Sequence, residues 1–180
     1  MPFTPFHMGP GLLLKSLLQG YFSVIIFGWA QVLMDIQPLV AIITGKGKLH
    51  GFSHTYIGAT LIALFAAYTG RWIYCWCMRF VAQDFTPYQR QLFAVPVQLK
   101  TGICIVSAGI GSLSHVLLDS IMHPDLEPFF PVNLDNHLVL LISIGTLYKL
   151  CVYTGLAGAV IYFAVRLVKI KLQTNAARNS

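Results

Sequence analysis

Charge is what this sequence has least of: Asp, Glu, Lys and Arg make up 10% of its 180 residues, against roughly 25% in ordinary soluble domains. With hydrophobic residues at 56%, too little polar surface remains to clothe a water-soluble globule. The apolar residues also fall in long runs rather than in alternation, which makes lipid the expected solvent. Nucleic acid is excluded as a partner, because the net charge of +6 is not gathered into a Lys/Arg stripe with interleaved aromatics. The excess reads instead as topology signal and contact with the anionic headgroups of membrane lipids.

Thiolate chemistry is scarce too. The four cysteines, Cys75, Cys77, Cys104 and Cys151, all lie in apolar stretches, and two residues apart on a helix point to different sides. They read as small buried hydrophobes. The first apolar run contains Lys15 and has no small-residue cleavage site behind it, so it reads as a retained segment rather than a signal peptide. No internal repeat or low-complexity tract divides the chain, and its length is that of one domain. The expectation is a single helical membrane domain over 1–172 and a flexible polar tail over 173–180.

The fold expected from these runs is an all-α polytopic membrane bundle with about four crossing segments. Residues 9–43 are too many for one crossing, for which about 20 suffice. Gln19-Gly20 breaks them into a short helix near 10–19 and a longer one near 22–43, a short N-terminal hairpin. Gly45-Lys46-Gly47-Lys48 is a turn-like polar loop. A second span covers about 55–76, residues 79–98 read as a loop, and a third span covers about 100–122. Pro124, Pro128 and Pro131 then forbid a regular helix. Residues 137–168 are either one tilted helix or two shorter ones.

The six His and six acids stand out against this apolar ground. An ionisable group at membrane depth costs on the order of 2–3 kcal/mol or more, so it is rarely there without a partner. If the chain turns at Gly20, His7 and Asp35 both lie roughly 20 Å from the turn, at one height, by a rise of 1.5 Å per residue. His50 and His54, spaced i, i+4, follow at the same end, with Ser53 a candidate N-cap for the second span. The third span returns to that end with His115 and Asp119, again i, i+4. Alternation of the spans therefore gathers His7, Asp35, His54, His115 and Asp119 at one level. Mixed His and carboxylate ligands suit a divalent cation, Zn²⁺ first and Mn²⁺ or Fe²⁺ next, and the lack of thiolates argues against a closed structural zinc site. Asp125 or Glu127 is a candidate general base, or the group that orients a ligating His. The plainer readings are a satisfied interfacial His at His50 and His137, a solvated acidic loop at 125–135, and Asp35 paired with Lys46 or Lys48.

Four elements in order carry a family resemblance. They are Pro2-Phe3-Thr4-Pro5-Phe6-His7, the Asp35 closing an apolar helix, Gly51-Phe52-Ser53-His54-Thr55-Tyr56-Ile57-Gly58, and Ser114-His115-Val116-Leu117-Leu118-Asp119-Ser120 followed by His123-Pro124-Asp125. The set resembles the membrane-bound, metal-dependent hydrolases of the YdjM type, over about two-thirds of the chain. The resemblance implies an all-helical integral membrane protein with a divalent-metal site at His7, Asp35, His54, His115 and Asp119. A more distant similarity to zinc-dependent phospholipase C implies phosphoester substrates. The family tends to place Asp or His after a Pro-Asp pair, whereas Met34-Asp35-Ile36-Gln37-Pro38 stands here. That turn therefore offers one carboxylate and no second ligand.

The expected activity is metal-dependent hydrolysis of an ester or phosphoester, on a small-molecule or lipid-derived substrate, in the inner (cytoplasmic) membrane. A non-enzymatic metal or ion carrier, or a structural partner-binding protein, is the alternative. Arg79, Arg90, Lys100, Arg166, Lys169, Lys171 and Arg178 oppose Lys46 and Lys48. That asymmetry turns the site away from the cytoplasm if the last stretch crosses once.

Overall fold

The computed structural model describes residues 5–93, 96 and 98–178. Pro2-Phe3-Thr4 and the last two residues of the expected tail lie outside the described residues. Every regular element among the described residues is helical. A 3₁₀ turn, Pro5–His7, leads into α1 (Met8–Leu18), and a second, Gln19–Tyr21, precedes α2 (Val24–Thr44). After a third turn, Phe52–His54, come α3 (Tyr56–Val81), α4 (Pro87–Leu92), α5 (Thr101–Met122) and α6 (Ile144–Arg178). The helices α2, α3, α5 and α6 are long and apolar enough to cross a membrane. The expected 79–98 loop holds one short helix, α4, which the Thr86/Gln89 capping box and Pro87 start.

The N-terminal reversal has a cause visible in the sequence. Lys15, the lone cation of the first apolar run, donates from Nζ to the carbonyls of Gln19 and Phe22 at 2.6 and 2.8 Å. It satisfies backbone groups that the ending helix leaves open. α1 then packs chiefly along α6, while α2, α3 and α5 pack on one another. The α1–α6 approach is close because glycines line it. A Cβ on Gly155 would lie 3.1 Å from the Gly9 Cα, and one on Gly158 would press into the backbone of Leu12 and Leu13. Small residues let helix backbones meet in lipid, where hydrophobic attraction between helices is absent.

Below the polar end, Ile26, Ala30, Ala66, Cys104 and Ala108 form a fully buried layer between α2, α3 and α5. At the polar end, 123–143 folds back over the bundle. Tyr56 N donates to the Pro128 carbonyl at 2.8 Å, and Asn136 Nδ2 to the Ser120 carbonyl at 2.9 Å. The last apolar stretch crosses as one helix from Ile144, its first seven residues belonging to the loop, and it continues through the polar residues to Arg178, so the expected tail from 173 is helical and exposed over its described residues. Of the cysteines expected to be buried, Cys104 and Cys151 are; Cys75 is exposed and Cys77 half-buried. An outer helix face in lipid accepts a small apolar side chain as readily as a core does.

Candidate metal centre

The five expected ligands meet. His7 closes the turn before α1, Asp35 lies in α2, His54 closes the turn before α3, and His115 and Asp119 lie on one face of α5. Asp35 is about 14 Å below the end of α2 at 1.5 Å per residue, so the cluster is recessed beneath the loops. The three imidazoles are 1–2% exposed and both carboxylates are buried. His54 Nε2 and His115 Nε2 each stand 3.3 Å from Asp119 Oδ2, His115 Nε2 stands 3.3 Å from Asp35 Oδ1, and His7 Nε2 stands 3.7 Å from Asp119 Oδ1.

None of these contacts is a well-aligned hydrogen bond, and Nε2 of all three histidines is left without such a partner among the described residues. The other ring nitrogen explains why two of them are aimed this way. His115 Nδ1 meets Gln31 Oε1, and Gln31 Nε2 donates to the Gly111 carbonyl at 3.1 Å. The amide is thereby oriented with its oxygen toward the ring, so Nδ1 is the donor and Nε2 is turned toward the carboxylates. His54 Nδ1 lies 2.9 Å from Ser53 Oγ, and that hydroxyl points to the Met34 carbonyl at 3.5 Å. Pro38 is the reason Met34 has a carbonyl to spare, because proline within α2 removes the N–H that would bond four residues back. His54 thus also has a donor role at Nδ1, with Nε2 turned toward Asp119.

Imidazole nitrogens turned on carboxylate oxygens suit a positive centre between them. The spacing says what size it can be. Four ligands at 2.0–2.1 Å around a tetrahedral cation are about 3.3–3.4 Å apart along the edges, and three of the four contacts have that length. Burial pushes the pKa of His7 down to about 4 against the pull of Asp119, and lowers that of His54 in the same way. Both are neutral near pH 7, the form that binds metal. The donor set, its burial and its orphaned nitrogens therefore fit a metal ion.

A cavity of about 220 Å³ adjoins the cluster, lined by Asp35, Pro38, Ile42, Leu49, His50, His54 and Asp119. Larger hollows lie on apolar flanks, among residues such as Leu64 and Trp72 or Leu12 and Phe163, away from these side chains. Asp125 reaches the cavity only through His50, whose Nδ1 it holds at 2.9 Å. Glu127 does not line it; it is exposed, 4.0 Å from Lys48. Lys48 therefore faces Glu127, not Asp35, whose carboxylate faces His115.

Two local expectations change. Thr55, not Ser53, caps α3, its Oγ1 accepting from Gly58 N at 2.9 Å. The 3₁₀ turn delays the helix and frees Ser53 for the imidazole. His50 and His54 do not share a helix, yet their rings face each other at 5.4 Å. Sequence reading missed Gln31 and Gln37, of which the second accepts from Ser53 N at 3.0 Å and anchors that turn. The available signal was Gln31 itself, an amide in an apolar run four residues before Asp35.

Searches among protein-family models, curated proteins and solved structures find no match to this chain.

Proposed function

We propose that this integral membrane protein is a metal-dependent hydrolase, with a divalent cation held by His7, Asp35, His54, His115 and Asp119 and zinc its best-suited occupant. The observation that carries the reading is the convergence of three buried, hydrogen-bond-free Nε2 atoms on two carboxylates. A cation so bound lowers the pKa of water to about 7 and supplies hydroxide at neutral pH. The chain's own part is to hold the imidazoles in one tautomer, through Gln31 and Ser53, and to keep the site recessed from bulk water.

The substrate proposed is an ester or phosphoester, lipid-derived, because Pro38, Ile42 and Leu49 give the cavity an apolar wall beside its polar floor. The likeness of the four motifs to the YdjM-type hydrolases supports the same class. The carrier reading lacks a path, since the buried layer of Ile26, Ala30, Ala66, Cys104 and Ala108 separates the cluster from the other end of the bundle. With α6 a single span, seven cations at that other end favour an inner-membrane protein whose site faces away from the cytoplasm.

The test is elemental analysis of the purified protein with a panel of lipid and phosphoester substrates. Stoichiometric metal that His115→Ala and Asp119→Ala abolish, together with loss of hydrolysis, is the expected result. Wild-type protein without metal, or metal content unmoved by both variants, sinks the proposal.

A further inference from the structure

A second group of ligating side chains lies directly above the first. His50, from the loop after α2, and His123 and Asp125, from the turn that ends α5, offer donor atoms all within 4.8 Å of one another. His50 Nδ1 is 2.9 Å from Asp125 Oδ2, and the His50 and His123 rings are 4.1 Å apart, centroid to centroid. The three belong to two separate segments, and the 123–125 turn is held in place. Leu126, next to Asp125, is buried in the cluster of Met34, Ala59 and Val116, while His123 N donates to the Asp119 carbonyl at 2.8 Å. The arrangement is therefore built rather than a chance meeting of surface residues.

We infer that His50, His123 and Asp125 form a second divalent-cation seat at the mouth of the same cavity, making the centre binuclear. His50 is the hinge of the assignment. It lines the cavity with Asp35, His54 and Asp119, and its ring faces that of His54 at 5.4 Å. Two carboxylates and three histidines serve the inner ion; one carboxylate and two histidines serve the outer one. The outer ion has fewer ligands, and Asp125 is largely exposed, so it binds more weakly and exchanges freely. The inference rests on the inner cluster being a cation seat, and it replaces the general-base role for Asp125 with that of a ligand.

The experiment is Mn²⁺ titration of the full chain in detergent, read by equilibrium dialysis and by electron paramagnetic resonance. Wild type is expected to take two equivalents, the second bound more weakly than the first. At saturation the isolated-ion signal should give way to the broadened signal of a coupled pair. Asp125→Asn and His123→Gln should each lose the weak equivalent and keep the tight one, and Asp119→Asn should lose the tight one. One equivalent in wild type, or an uncoupled spectrum at saturation, overturns the second seat and leaves the hydrolase reading standing. Two equivalents retained by both outer variants overturn it as well, and no bound Mn²⁺ at all overturns both. The wild-type spectrum needs no variant to fold.

Discussion

Gln31 and His115, 84 residues apart, are joined side chain to side chain, and the amide that orients the imidazole is itself held by the Gly111 carbonyl one turn before it on α5. The contact is buried and lies wholly between two membrane-crossing helices. It makes an uncharged residue responsible for which nitrogen of His115 faces the carboxylates.

Gln31→Leu should therefore weaken cation binding without removing any ligand. A lost orienting partner typically costs 10–100-fold in metal affinity, and about that loss is expected in a chelator-competition titration. Unchanged affinity would mean that packing alone fixes the ring.

Asp119 and Glu127 should behave as opposites, although the sequence offers both as acids beside the site. Asp119 stands within 3.3–3.7 Å of the three buried imidazoles, so Asp119→Asn should abolish tight metal binding. Glu127 meets Lys48 at the surface, and Glu127→Gln should leave both metal content and hydrolysis at wild-type levels. Elemental analysis of the two variants side by side checks this.

The metal-free protein should lose stability in acid, in a window set by His7. Its pKa is about 4 in the fold, lowered by burial, against roughly 6.5 in the unfolded chain. Between those values the unfolded chain holds the extra proton, so stability rises with pH there. The contribution, on the order of 3 kcal/mol, is complete above pH 6.5 and lost as pH falls through about 4. Thermal unfolding in detergent with chelator present, from pH 7.5 to 4, should show this slope. His7→Asn should flatten part of it, the rest belonging to groups such as His54, whose pKa burial also lowers.

Gly158→Leu should loosen α1 from α6, because no space exists for a side chain against the Leu12 and Leu13 backbone. Overpacking of this kind costs about 1–3 kcal/mol. A lower unfolding temperature is expected together with weaker metal retention, since α1 carries in His7. The Gly20→Leu change, where a Cβ would meet nothing within 4 Å, serves as the control and should do neither.

The sequence made the cluster legible because membrane topology quantises height. Once the spans alternate, residues near the same end share a level, and His7, Asp35, His54, His115 and Asp119 meet as their positions imply. The supporting layer was not legible in this way. Gln31 depends on the rotation of α2 against α5, and the use of Ser53 depends on a 3₁₀ turn that delays the start of α3 by two residues. The pairing of α1 with α6, the first helix with the last, follows from glycines whose role appears only when the backbones are seen to touch. The His50–Asp125 contact spans 75 residues and joins two loops, where height sets no register.

That first-to-last pairing fixes an order of assembly. His54, His115, Asp35 and Asp119 are in place once α2, α3 and α5 are inserted, but α1 has its principal partner only when α6 arrives. A chain lacking α6 would therefore bring together four of the five clustered side chains and leave His7 without the packing that places α1. If the cluster seats a cation as proposed, tight capture would report that the last helix has packed against the first.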